Sequence, residues 1–273
     1  MKKISTSAFL AALLIATGAC GRIEDRFSLN DGVVGGRDVT RGEDYSQLVV
    51  GLMLFNQGQS LGTCTGSILD DDLVLTAAHC LENVDQVKIV FGEHMNTPHA
   101  LRESRNFLKH PLYNGASEAD DASDVGLVRF VGGLPENYLV NELLPDDYTL
   151  KARENVILAG FGASEGRSGG GSRQLRVADH VPVKNPDYAR TEVELDQSTQ
   201  SGGHGGCYGD SGGPAFVRTS DGRLQLWGVT SRGEFGCATT SVYTDLRKHL
   251  PWIRQTHAQL RQGAEAPSAL ADR

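Results

Sequence analysis

Ten residues in the C-terminal third, Gly205-Gly206-Cys207-Tyr208-Gly209-Asp210-Ser211-Gly212-Gly213-Pro214, set one serine among glycines. Glycine permits positive φ and close approach of the main chain. A serine in such a turn stands exposed, with main-chain N–H groups beside its hydroxyl. That suits a nucleophile with an oxyanion hole, where donors aimed at developing charge supply much of the rate. The hydroxyl needs a base at neutral pH. Thr76-Ala77-Ala78-His79-Cys80 supplies an imidazole, whose protonation is tunable near neutrality. A carboxylate must then orient the ring. Asp124, in Ser123-Asp124-Val125-Gly126-Leu127, sits where an acidic, loop-like run turns apolar, so it can be buried against the imidazole. Asp120 and Asp121 are expected in solvent. His94, His99, His180 and His257 are read as surface or structural.

These segments together, GDSGGP, TAAHC, SDVGLV and an early Val33-Val34-Gly35-Gly36, resemble in their order the chymotrypsin/trypsin family of serine peptidases, from Val33 to about His257. Gly209-Asp210-Ser211-Gly212-Gly213 also fits G-x-S-x-G, the nucleophile elbow of α/β-hydrolases. That fold needs its acid and histidine after the serine. Asp221 or Asp245 and His249 or His257 follow too closely to leave room for further strand–helix units, and TAAHC would go unexplained.

The resemblance implies a serine endopeptidase acting on polypeptides through an acyl-enzyme, without metal or cofactor. It implies an all-β fold of two six-stranded antiparallel barrels, divided near residues 140–150, with the cleft between them and a short C-terminal helix. His79 and Asp124 would come from the first barrel and Ser211 from the second. The N–H groups of Gly209 and Ser211 would form the oxyanion hole. Cys64 and Cys80 bracket the approach to His79, and Cys207 and Cys237 bracket the Ser211 region. In the family such cysteines are paired, so two disulfides are expected, each closing a loop that stabilises by roughly 3 kcal/mol. Disulfides require an oxidising compartment. The family's mature N-terminus corresponds to Val33. Cleavage there frees an α-amine that pairs with the aspartate before the nucleophile, here Asp210, so the chain is expected to be made as a zymogen. Gly32 after Asp31 stands where relatives often carry Arg or Lys, which argues against a trypsin-type activator.

The leader reads as a targeting segment. Lys2 and Lys3 give a positive end, and Ala8 to Ala16 is an apolar run too short to span a membrane as a stable helix. Thr17-Gly18-Ala19-Cys20 resembles a bacterial lipoprotein box, with threonine where leucine is usual. Lipidation of Cys20 also accounts for the odd member of five cysteines; ordinary cleavage after Ala19 is the competing reading. The expected organisation is a signal peptide over 1–20, a linker or propeptide over 21–32, a peptidase domain over 33–260 and a disordered tail over 261–273. The protein is expected in the bacterial envelope or secreted, as a monomer, touching membrane only through a lipid anchor. A formal net charge of −8 with no basic cluster argues against nucleic acid as a partner.

Short β-rich runs alternate with turn clusters along the rest of the chain. Strands are expected over Gln47–Phe55, Leu73–Thr76, Gln86–Phe91, Val125–Val131, Val156–Gly160, Leu175–Val183, Ala215–Arg218, Leu224–Thr230 and Ser241–Thr244. No long helical pattern separates them, which disfavours a parallel βαβ fold and suits closed antiparallel barrels. Residues 162–172, with three consecutive glycines, read as a surface loop. They lack the Gly-Lys-Ser/Thr run of a phosphate-binding loop. Pro251 to Leu260 is expected to be a helix packed on a barrel. Phe91-Gly92-Glu93 opens a loop that binds calcium in some relatives, but a single carboxylate argues against a site here.

The resemblance also locates the primary specificity pocket. Its base corresponds to Gly205, where trypsin-like relatives carry aspartate, and Gly206 adds no charge. Gly233 and Ser241 would form the walls and Ser231 the entrance. An uncharged, medium-to-large apolar side chain is therefore expected before the scissile bond. Arg232, where relatives often carry tryptophan, is expected to favour acidic substrate positions. A silent binding protein on the same scaffold usually lacks a triad residue, whereas His79, Asp124, Ser211 and Asp210 are all present. Esterase side activity would use the same acyl chemistry.

Overall fold

The computed structural model describes residues 33–115, 121–162, 173–234 and 236–262. The leader with Cys20, the 21–32 linker, Asp120, nearly all of the glycine-rich loop and the tail beyond Gln262 lie outside them.

After β1 (Arg37–Asp38) and a single helical turn α1 (Asp44–Leu48) come β2 (Val49–Asn56), β3 (Gln59–Asp70), β4 (Leu73–Thr76), β5 (Gln86–Phe91), β6 (Ala100–Lys109) and β7 (Gly126–Phe130). These last six close into an antiparallel barrel in the order β2-β3-β4-β7-β6-β5. The β2–β3 hairpin turns through Gln57 and Gly58, both at positive φ, as the right-handed strand twist favours. Leu52, Ile68, Leu73, Leu75, Ile89, Phe91 and Phe130 are fully buried inside. Each such side chain contributes roughly 1.5–3 kcal/mol of hydrophobic stabilisation.

The second barrel is built from β9 (Asn155–Gly160), β10 (Arg176–Ala189), β11 (Glu192–Asp196), β12 (Pro214–Arg218), β13 (Leu224–Gly233) and β14 (Thr240–Asp245). They follow one another as β10-β11-β14-β13-β12-β9, and β9 pairs back to β10 to close the ring. The two-residue β8 (Glu142–Leu143) runs parallel to β13, and β1 lies against β10. Trp227 and Tyr243, with ring centroids 6.0 Å apart, pack at its centre with Val33, Leu158, Val181, Val193 and Leu195. Two six-stranded antiparallel barrels are thus present, as expected.

Nine strands fall where the sequence places them, with ends shifted by a few residues. Strands β3, β6 and β11 were not expected from composition. The C-terminal helix, α2 (Leu250–Gln262), buries Leu250, Ile253, Thr256 and Leu260 along one face. That face returns to the first barrel, where Arg129 Nη1 donates to the Leu260 carbonyl at 3.0 Å. The helix runs two residues past the expected start of the tail, because Leu260 is an anchor inside its last turn. Among the described residues, no helix is long and apolar enough to cross a membrane.

Candidate active site

His79 opens a 3-10 turn, His79–Leu81, just after β4, behind the buried Ala77 and Ala78. Asp124 precedes β7, in a tight turn closed by Val125 N–H on Ser123 O at 2.9 Å. Strands β4 and β7 are neighbours, so the two residues meet. Nδ1 of His79 lies 2.7 Å from Asp124 Oδ2, and His79 N–H donates to Oδ1 at 2.9 Å. Asp124 is fully buried, and a carboxylate there must be hydrogen-bonded to be tolerated. Ser231 Oγ supplies a further donor to Oδ2 at 2.7 Å, and Thr244 Oγ1 donates to the Asp124 carbonyl at 3.1 Å. Ser231, expected only at the pocket entrance, also holds the acid. With Nδ1–H given to Asp124, the lone pair of Nε2 is left for a proton from a hydroxyl. Burial of His79 disfavours its charged form, but the hydrogen bond and charge of Asp124, with the more distant Glu82, outweigh it and raise the imidazole pKa.

Ser211 lies on the loop before β12 in the second barrel. Its carbonyl accepts Thr65 N–H, from β3 of the first barrel, at 2.9 Å. Thr65 Oγ1 donates to the Gly209 carbonyl at 2.9 Å and accepts Phe161 N–H at 3.1 Å. One threonine thus pins the Ser211 loop to the barrel that carries His79. Cys80 Sγ is 3.8 Å from His79 Nε2 and 3.6 Å from Ser211 O, which places the serine beside the ring. Ser211 Oγ itself makes no hydrogen bond to Nε2, a contact that in such sites often tightens only around substrate. Neither Gly209 N–H nor Ser211 N–H has an acceptor among the described residues.

Asp210 is buried behind this loop. Oδ1 accepts Gly162 N–H at 2.8 Å, Oδ2 accepts Cys207 N–H at 2.8 Å, and Val33 N–H is a third donor. A Cβ on Gly162 would lie 2.5 Å from the Asp210 carboxyl carbon, so only glycine lets the main chain come so close. Burial pushes the Asp210 carboxyl up to about 7, against the three N–H donors and the Arg176 charge. Val33 is itself buried, and Val34 pairs with Gly205. The expected partners Val33 and Asp210 are therefore together.

Both cysteine pairs are disulfides: Cys64 to Cys80, joining β3 to the His79 turn, and Cys207 to Cys237, joining the Ser211 loop to the segment before β14. Cys64 and Cys80 flank His79, but their sulfurs are bonded to each other and offer no thiolate to a metal. Glu93, in the loop that binds calcium in some relatives, has an oxygen 3.2 Å from His99 Nε2.

A cavity of about 220 Å³ opens beside Ser211, lined among others by Gly206, Ser231, Gly233 and Ser241. Gly205, expected at its base, is not one of the lining residues; its Cα faces the buried Gln197, which reaches Ser241 and Gly206. Arg232 corrects an expectation. Its two terminal nitrogens donate to the two oxygens of the buried Glu192, both at 2.6 Å, so its charge is spent inside the protein and not offered to substrate. Glu192 also accepts Ala122 N–H at 3.1 Å, two residues before Asp124. Sequence reasoning missed Thr65, Glu192 and Gln197; each acts across a barrel or between barrels, which no local pattern records. Asp121, expected in solvent, is held by Arg190 and by Thr191 Oγ1.

Comparison with known proteins agrees with this geometry. The family model described as Trypsin matches residues 33–253. The chain is 30% identical to phenoloxidase-activating factor 3 of Holotrichia diomphalia, over 92% of this chain and 78% of that protein. It is 27% identical to chymotrypsin-like elastase family member 1 of Macaca fascicularis, covering 84% and 91% of the two chains. Against trypsin-1 of Astacus astacus the identity is 28%, over 81% and 98%. Among solved structures, an HL collagenase superposes with a TM-score of 0.69 over 82% of this chain and 98% of that one. At 21% identity, that last likeness speaks to fold alone.

Proposed function

This chain belongs to the trypsin family of serine endopeptidases, and we propose that it cleaves polypeptides with Ser211 as nucleophile, His79 as general base and Asp124 as the acid that orients it. One observation carries the assignment. The buried Asp124 holds Nδ1 of His79 at 2.7 Å, while Thr65 fixes the Ser211 loop beside the opposite edge of the ring.

The steps follow from those positions. Nε2 takes the proton of Ser211 Oγ as the oxygen adds to the scissile carbonyl. The carbonyl oxygen becomes an oxyanion in front of the Gly209 and Ser211 N–H groups, whose acceptors are otherwise missing. The imidazolium is stabilised by Asp124 and gives its proton to the leaving amine, which departs. Water then enters and loses a proton to Nε2. The acyl ester breaks, and Ser211 regains its hydrogen.

The finer reading has three parts. First, the chain is made as a zymogen. Cutting before Val33 turns an amide N–H beside Asp210 into an ammonium, the partner that a buried carboxylate needs. Second, the residue before the scissile bond is uncharged and apolar, since Gly205 and Gly206 bring no charge to the pocket. Third, the protein is exported to the bacterial envelope, anchored by lipid on Cys20, or secreted. Its two disulfides fit an oxidising compartment.

Ser211→Ala, with Val33 verified as the first residue, is expected to remain folded and to lose peptidase turnover to within about 10³–10⁴-fold of the uncatalysed rate. Turnover equal to the unaltered protein would remove Ser211 from the mechanism.

A further inference from the structure

Gln197 directly follows β11, and its side chain is almost wholly buried. Nε2 donates to Ser241 Oγ at 2.6 Å and to the Gly206 carbonyl at 3.3 Å. The main chain is fixed as well, with Gln197 N–H on Thr239 O at 2.7 Å. A Cβ built on Gly205 would lie 2.0 Å from both Cδ and Nε2 of this side chain. Where a side chain at position 205 would begin, the Gln197 amide already sits. Gly206 and Ser241, the two partners of the amide, both line the cavity beside Ser211, so the amide stands directly behind that part of its lining.

We infer that Gln197 is a specificity-determining residue: it closes the deep end of the primary pocket with a neutral amide and limits the side chain before the scissile bond to small or medium uncharged groups. This rests on the reading that the cavity beside Ser211 receives that side chain. Two physical consequences follow. A lysine or arginine would bury its charge against an amide with no counter-ion, which is costly. An aromatic ring would have to displace a side chain hydrogen-bonded on two sides, and such overpacking is also unfavourable. The two nearby acids do not alter this. Asp196 is occupied by Ser198 N–H and Ser201 Oγ, and Glu234, at the exposed rim, takes Thr239 Oγ1. The upper limit on size is thus lower than the medium-to-large side chain expected from sequence.

The test is a series of peptide nitroanilides identical except for Ala, Val, Leu, Phe or Lys before the scissile bond. It is run on the mature protein, on Gln197→Ala and on Gln197→Ser, with active sites titrated by a fluorophosphonate. Gln197 Oε1 has no partner, so truncation removes an unsatisfied buried acceptor, and folded variants are expected. The unaltered protein should favour Ala, Val and Leu over Phe. Both variants should raise the Phe-to-Ala ratio of kcat/KM by about tenfold or more, the scale on which pocket volume discriminates. A ratio unchanged in the titrated variants overturns the role of Gln197 while leaving the uncharged-pocket reading intact. If neither variant is recovered folded, the unaltered protein decides, and a preference for Phe over Val and Leu overturns the inference. Fastest cleavage after Lys would instead overturn the uncharged pocket itself.

Discussion

Asp210 links zymogen chemistry to pH through a single carboxyl group. With Val33 still an amide, burial holds the carboxyl at about 7, against an ordinary 3.8. The folded precursor therefore keeps a proton that the unfolded chain has already lost across that interval. Its contribution to stability is complete below about pH 4 and declines as pH rises toward 7, by about 4 kcal/mol in all. An α-ammonium at Val33 favours the ionised form, so the mature protein should lose less. Urea melts of a Ser211→Ala precursor and of the mature Ser211→Ala protein at pH 4.5 and pH 8 measure the difference. Equal pH sensitivity in the two forms would contradict the Val33–Asp210 pairing. The three residues proposed as the triad stood out in the sequence because each is embedded in a short local pattern: alanines and a cysteine about His79, glycines about Ser211, an apolar run after Asp124. Ser231 was placed only half correctly. Its hydrogen bond to Asp124 spans 107 positions of sequence, and nothing near Ser231 announces it.

The β10–β11 hairpin and strand β13 act together on the loop that carries Asp124. Glu192 begins β11, takes both terminal nitrogens of Arg232 and also receives Ala122 N–H. Breaking a buried pair leaves an uncompensated charge, so Arg232→Ala should cost about 3–5 kcal/mol. A double change to Arg232→Met and Glu192→Leu should recover much of that loss. Denaturant midpoints check both statements, and a single substitution that leaves the midpoint unmoved would show the pair to be dispensable. At this scale the sequence was uneven. Leu73–Thr76 and Gln86–Phe91 read as strands because β-branched and aliphatic residues dominate them. Ala100–Lys109 did not, since six of its ten positions are charged or polar and none of the ten is fully buried. Glu192–Asp196 alternates acidic with apolar residues over only five positions, and Gln59–Asp70 is rich in glycine and threonine, so pairing with neighbours decides both.

Two closed barrels keep the proposed base, His79, and the proposed nucleophile, Ser211, apart and let few contacts set their relation. Thr65 ties the Ser211 loop to the first barrel, while Ser231 and Thr244 of the second reach Asp124. The cleft is where those contacts run, and closure of each barrel leaves loops, not strand edges, to form it. Alternation of short β-rich runs already suited closed antiparallel barrels; that there are two, of six strands each, was expected from the family resemblance. Which side chain lies behind the pocket was beyond either, since no local pattern shows that the Gln197 amide occupies the space where a side chain on Gly205 would begin. The most direct test of the whole arrangement is mass spectrometry of the purified protein after reaction with a fluorophosphonate, with the first residue sequenced. A chain beginning at Val33 that carries a single adduct on Ser211 is the predicted result. A chain beginning at Val33 with no adduct, or with the adduct elsewhere, would contradict it.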